Sequence, residues 1–323
     1  MDLKDIQRPV AEHLGKFEPY FRSNLHSPNP LLTLATNYAF RRKGKRMRPL
    51  LVFLSAMAAG GVTDGTYAAA ALIELLHNAS LVHDDVVDET YTRRGQWSLM
   101  GLWGPKVAVL VGDFFLSRGM ELALEGGHYD ALRIVSRAVH DLSEGELSQM
   151  EHARRLDLTE DDYYEVIRQK TATLIEACTR AGATSAGAAT DIVEALAAYG
   201  NHLGLAFQIR DDMFDYTPGG LFGKPALNDV KEQKITLPLL AAMRNATAEE
   251  RAEMLRKIRR HPKDDETAEA ALDMAHAYGG MDYAQKMMAH FADLAKADLT
   301  PVPDGEAREA LADLVDYNTG RTV

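Results

Sequence analysis

Residues 70–89 read AALIELLHNASLVHDDVVDE, and this stretch decides the fold class. Ala, Leu and Glu dominate it, and apolar residues recur at three- and four-residue spacing, the period of a helix with a buried face. Segments 162–181 and 190–216 share that pattern, and no convincing alternating strand stands out anywhere. Turn chemistry falls between the periodic segments, at Ser27-Pro28-Asn29-Pro30, Gly60-Gly61, Gly126-Gly127, Pro218-Gly219-Gly220, Gly279-Gly280 and Pro301-Val302-Pro303. Pro49 suits the first turn of a helix. These signals predict an all-α protein, a single large helical bundle of roughly ten helices. Without a linker or a repeat, residues 1–323 are expected to form one domain.

The opening stretch ends in DDVVD (84–88), and the pattern returns as DDMFD at 211–215. On a helix Asp84 and Asp88 share a face, with Asp85 about 100° round from Asp84. Followed backwards, the stripe passes Ser80, Leu76 and Ile73, with His77 beside it, so it is acidic at one end and apolar at the other. The second stripe runs Asp215, Asp211, Gln208, Gly204, Gly200 and loses its side chains. Close helix packing explains two mid-helix glycines as well as a cavity does. Beside the first stripe, a deep central cavity with an acidic mouth is the reading preferred. Six converging carboxylates repel unless a cation lies between them, and hard oxygen ligands suit Mg²⁺ with a phosphorylated ligand.

Composition narrows the class further. A net charge of −11 argues against nucleic acid as the main partner. The first twenty residues lack a signal-peptide core, and no run of 18 apolar residues suggests a membrane span. The single Cys178 excludes an intramolecular disulfide, which fits the cytoplasm. If the phosphorylated ligand is a diphosphate, cations should sit near the acidic mouth too, and basic residues occur in the density this needs. Arg41 to Arg48 form a basic loop at a helix start, Arg93-Arg94 follow the first motif, Lys170-Thr171 sit mid-helix, and Lys224 and Lys234 follow the second motif. Taken singly, each of these lysines is more often a surface residue.

Together GKRMRP (44–49), HDDVVDETYTRRG (83–95), VGDFF (111–115), KT (170–171), FQIRDDMFDY (207–216), GK (223–224) and KITLP (234–238) resemble the trans-polyprenyl diphosphate synthases, in the family's order over essentially the whole chain. Gln233 departs from it where Gly is usual, and Trp97 where a proline commonly follows Arg-Arg-Gly. The resemblance implies that Asp84, Asp85, Asp88, Asp211, Asp212 and Asp215 hold Mg²⁺, or Mn²⁺ in its place, against an allylic diphosphate. It implies that Arg93, Lys170, Lys224 and Lys234, helped by Thr171 and Gln208, contact the same leaving group. Lys45, Arg48, His77 and Arg94 would hold isopentenyl diphosphate. A homodimer is implied, as is delivery of a lipid product to the membrane.

Product length is read from the positions before the first motif. Ala79 and Ser80 are small where family members that stop at C15 carry bulky aromatics, so a tail can pass toward Leu76. The expected product is longer than C15, about C25–C40, along a helix that rises about 5.4 Å per turn. Three other readings compete. A class I terpene cyclase usually carries a different second motif. A non-catalytic prenyl-binding subunit typically loses aspartates from one motif. A phosphohydrolase built on His83-Asp84 needs further His and Asp ligands in another arrangement.

Overall fold

Helices take up most of residues 2–41, 46–93, 95–217 and 227–320, the residues that the computed structural model describes. Seventeen α-helices occur among them, more than the ten or so expected. Pieces as short as Leu3–Gln7, Leu99–Trp103 and Asn228–Lys231 leave no periodic signal to read. The described chain gathers into two units, Met1–Arg137 with Ala177–Ala197 and Pro301–Leu311, and Ala138–Glu176 with Ala198–Thr300 and Ala312–Val323. No described helix is long and apolar enough to cross a membrane.

The centre of the first unit is the first-motif helix, Asp64–Val87. Its opening turn is closed by Thr63, whose backbone N–H donates to Thr66 Oγ1 at 3.0 Å. Ala68 to Ala71, Leu72, Ile73, Leu75 and Leu76 are all buried. A helix apolar on nearly every side belongs inside a core, and this one packs against Pro105–Glu125 and Met47–Ala59. It ends at the motif: Asp88 is the C-cap, its N–H donating to Asp84 O, and Glu89 turns the chain at φ +50°.

A two-stranded hairpin follows, Thr92–Arg93 against Gln96–Trp97, where no strand was expected. Two residues per strand are too few for alternation to show. Trp97 anchors the second strand: Tyr38 Oη donates to its carbonyl at 2.7 Å, and its ring lies over Gly101, where a Cβ would come within 2.9 Å.

Segment 162–181, which belongs to the second unit as far as Glu176, is not one regular helix. Helix Glu160–Ile167 passes into a π-helical turn, Arg168–Ala172, before Thr173–Ser185. The Thr173 N–H reaches back five residues to Arg168 O. The second-motif helix runs Thr190–Asp215. Leu237–Asn245, Ala248–Arg260, Asp265–Ala277 and Gly280–Asp298 belong to the second unit. Tyr216, Val230, Leu239 and Ile258 lie in one buried apolar cluster, and Tyr163, Ile167, Ile209 and Met288 in another.

Candidate active site

The first motif ends its helix, so its three carboxylates face different surroundings. Asp85 turns inward and is 5% exposed. Arg93, carried back by the hairpin, donates its Nε to Asp85 Oδ1 at 2.8 Å. The sequence reading gave Asp85 to a metal and Arg93 to a diphosphate; here each is the other's partner. His83 points away from them, its Nε2 3.2 Å from Val109 O and 3.5 Å from Asp113 Oδ1. Gly112 makes room for that ring, since a Cβ there would stand 2.2 Å from His83 Nε2.

Behind the motif, Ala79 is fully buried and Leu76 is buried. Ser80 is half-buried, and its hydroxyl donates back to His77 O at 2.9 Å, so it presents little free polarity. The described part of the basic loop faces acids. Arg46, in a left-handed conformation before helix Met47–Ala59, pairs with Glu18. Arg46 and Glu18 also line a small cavity of about 40 Å³ with Glu74. Burial raises the Glu74 carboxyl although Arg48 and Arg46 pull it down. Lys45, Arg94 and Lys224 lie outside the described residues.

The second motif is joined to Thr171 by a chain of hydrogen bonds, while the neighbouring Lys170 reaches another helix. Thr171 Oγ1 donates to Gln208 Oε1 at 2.6 Å. Gln208 Nε2 donates to Asp212 Oδ1 at 2.7 Å, and Tyr163 Oη to Asp212 Oδ2 at 2.6 Å. Lys170 Nζ donates to Glu146 Oε2 at 3.0 Å and to Gln149 Oε1 at 2.7 Å. The outer aspartates have other partners. Arg210, packed against Phe207 and Phe214, donates to Asp211 Oδ1 at 2.9 Å. Asp215 accepts the backbone N–H groups of Asn228 and Asp229 at 3.1 and 3.0 Å and so starts the short helix Asn228–Lys231.

Gln233 and Lys234 close that loop. Gln233 has φ +60°, the region that favours glycine, which explains why glycine is usual there in the resembling family. Its side chain donates to Ile258 O at 3.1 Å. The Lys234 N–H donates to Asp229 O at 2.8 Å, and its ammonium pairs with Glu232.

Electrostatics single out Asp212 and Asp229. Burial raises the Asp212 carboxyl well above the usual range and repulsion from Asp229 adds to it, against the hydrogen bonds from Tyr163 and Gln208. Asp229 is pushed up to about 6, by burial first and Asp215 second, while Lys234 and Lys170 pull it down. Part of Asp229 stays solvent-accessible, so that burial is incomplete. Carboxylates that resist ionising alone are what a hard divalent cation relieves, and every donor atom here is oxygen, so the set fits Mg²⁺.

Sequence reasoning passed over Asp229, Glu146, Gln149 and Tyr163. Asp229 carried one signal, its place between the two lysines that follow the second motif. The glycine stripe was misjudged at Gly204, where a Cβ would stand 2.5 Å from Ala172 Cα: the missing side chain serves packing, not a cavity. Another metal-like group, His140, Asp141 and Glu144, brings its ligand atoms within 4.8 Å of one another. The Arg168 guanidinium stands 4.0 Å from Asp141 and already opposes its charge.

The model of the polyprenyl synthetase family matches residues 29–275. The octaprenyl diphosphate synthase of Escherichia coli K12 is 36% identical over 315 residues, 97% of each chain. An all-trans-nonaprenyl-diphosphate synthase of Rhodobacter capsulatus is 34% identical over 96% of this chain and 95% of its own. Among solved structures, the Caulobacter crescentus CB15 polyprenyl synthase complexed with calcium and isoprenyl diphosphate superposes with a TM-score of 0.90 at 36% identity, covering 99% of this chain and 98% of its own. A decaprenyl diphosphate synthase from Rhodobacter capsulatus gives 0.93 at 34% identity and 99% of each chain.

Proposed function

The chain belongs to the polyprenyl synthetase family, and on that premise we propose that it condenses isopentenyl diphosphate with an allylic diphosphate in successive head-to-tail steps. The product is an all-trans polyprenyl diphosphate longer than C15. Relatives named for eight, nine and ten prenyl units support a long chain. The observation that carries the reading is the hydrogen-bonded path Thr171–Gln208–Asp212, with Lys170 beside it and two carboxyls of raised pKa at its end.

Asp84, Asp85, Asp88, Asp211, Asp212 and Asp215 are the residues that would hold the divalent ion, preferably Mg²⁺. When bound, it supplies positive charge to the diphosphate as the allylic C–O bond breaks. Lys170, Lys224, Lys234 and Arg93 add fixed cations to the same leaving group, and preorganised charge lowers the barrier because the leaving diphosphate gains negative charge in the transition state. Lys45, Arg48, His77 and Arg94 hold isopentenyl diphosphate so that its double bond attacks the allylic carbon. A C–C bond forms, the resulting cation loses a proton to the released diphosphate, and the chain is five carbons longer. On this reading no residue of the motifs is assigned as a dedicated base.

The active form is a homodimer. The surface that supports this is helix Pro105–Glu125, which exposes Leu110 at 66%, Met120 at 45% and Leu124 at 50%. We place the enzyme in the cytoplasm, consistent with Cys178 being a buried free thiol, and the product is handed to a membrane. The test is purified protein with Mg²⁺, labelled isopentenyl diphosphate and an allylic primer, with products sized by chromatography. A ladder ending beyond C15 supports the reading; no elongation with any primer rejects it.

A further inference from the structure

Lys170 and Thr171 are neighbours in sequence, yet they reach different helices. Lys170 Nζ bonds Glu146 and Gln149 on Tyr129–Arg155, and Thr171 Oγ1 bonds Gln208 on the second-motif helix. Both lie in the π-helical turn Arg168–Ala172. Such turns are rare, wider than a regular helix, and concentrate at functional sites. This one sits between two glycines. A Cβ on Gly145 would stand 2.7 Å from Gln169 Cβ and 3.1 Å from Lys170 N. A Cβ on Gly204 would stand 2.5 Å from Ala172 Cα and 2.8 Å from Ala172 Cβ. The obstructing atoms are backbone and Cβ, which cannot swing aside. Ordinary carbon contact begins near about 3.5 Å, so one methyl group at either glycine displaces the turn itself by roughly 1 Å.

We propose that Gly145 and Gly204 are positioning residues, a clamp that seats the π turn and thereby aims Lys170 and Thr171 at the departing diphosphate. The inference rests on the prenyl-transfer reading above. It gives these glycines a role that a regular helix would not need: the same contacts that admit the wide turn fix the direction of the ammonium it carries. A shift of about 1 Å in a group holding a transition state costs up to about a hundredfold in rate.

The experiment compares Gly145→Ala, Gly204→Ala, Lys170→Ala and the double variant Gly204→Ala/Lys170→Ala. Gly15→Ala, at a helical glycine with open space around it, is the control. Each protein is titrated calorimetrically with inorganic diphosphate in Mg²⁺ and assayed for kcat and for KM of both substrates. The clamp predicts that each glycine variant loses about tenfold or more in diphosphate affinity and in kcat/KM for the allylic primer, with KM for isopentenyl diphosphate unchanged. In the Lys170→Ala background Gly204→Ala costs less than in the wild type, only what a misplaced Thr171 loses, because no ammonium remains to misplace. Unchanged diphosphate affinity in both glycine variants, or losses that add in full, would overturn the proposal. Failure of both variants to fold would assign the glycines a purely structural role and overturn it too. A wild type that binds diphosphate but elongates nothing sinks the prenyl-transfer reading alone, and the diphosphate titrations still decide the clamp.

Discussion

Arg93 Nε donates to Asp85 Oδ1 at 2.8 Å, joining the hairpin to the helix end that carries the first acidic motif. Asp85 is buried, while the arginine side chain keeps 40% of its surface exposed. Its charge stands beside one carboxylate of the motif and is open to solvent on the other side. Removing it leaves a buried carboxylate without its cation. Arg93→Ala is expected to destabilise the protein by about 1–3 kcal/mol, below the full cost of breaking a buried pair because the arginine is partly solvated. It also lowers kcat/KM at least about tenfold. Thermal melts and steady-state kinetics check this; a variant with wild-type melting and turnover would show that the pair does neither job.

The raised carboxyls make a prediction about pH. Asp229 is pushed up to about 6 by burial and by Asp215, and Asp212 is raised by burial and by Asp229. An acid whose folded pKa lies above its unfolded value binds more protons when folded, so stability is present below the unfolded pKa and is lost as pH rises through the folded one. Metal-free protein should therefore lose this contribution as pH rises from about 4 through about 6. Asp229→Asn should flatten that dependence, and saturating Mg²⁺ should restore stability at neutral pH. Melts in a chelator at stepped pH values read it directly. A wild type and an Asp229→Asn variant with parallel profiles would refute it.

Gln233 offers a test of backbone strain. It occupies φ +60° without being glycine, and its amide donates to Ile258 O. Gln233→Ala keeps the strain and loses the hydrogen bond, whereas Gln233→Gly loses the bond but relieves the strain. The glycine variant should therefore be the more stable of the two by about 1 kcal/mol, as chemical denaturation would measure. An alanine variant equal to the glycine one would mean that the left-handed conformation costs nothing here.

The helices and the two aspartate motifs were legible because both depend on regular spacing, and one repeated pentapeptide on two periodic segments carries most of the fold class. What could not be read depends on contacts between elements. Nothing in the string RQKTA marks a π turn, and the close approach of Gly145 and Gly204 to it comes from other helices. Arg93 is drawn to Asp85 by a hairpin too short to show alternation. Asp229 is one acid among several until its backbone is tied to Asp215 and Lys234. Gly204 was legible as something unusual; whether it made a hole or a contact depended on Ala172, 32 residues earlier in the chain.

The structure separates two of the three residues held to set product length, Ala79 and Ser80, with Leu76 buried behind them. Ala79 is fully buried, so a phenylalanine there has to displace its neighbours, at a cost of about 1–3 kcal/mol. Ser80 is half-buried with its hydroxyl turned back to His77 O, so a larger side chain there extends into less crowded space. Both lie on the stretch between Leu76 and Asp84, where a growing tail that follows the first-motif helix has to pass. Ser80→Phe is therefore expected to shorten the longest product by at least one five-carbon unit while leaving the first condensation close to the wild-type rate. Ala79→Phe should shorten it too, with a melting temperature lowered by about 1–2 °C for each kcal/mol lost in a chain of 323 residues. Thin-layer or liquid chromatography of the dephosphorylated products gives the answer. An unchanged product ladder in Ser80→Phe, with the protein folded and the first step intact, would move the length-setting site off this helix.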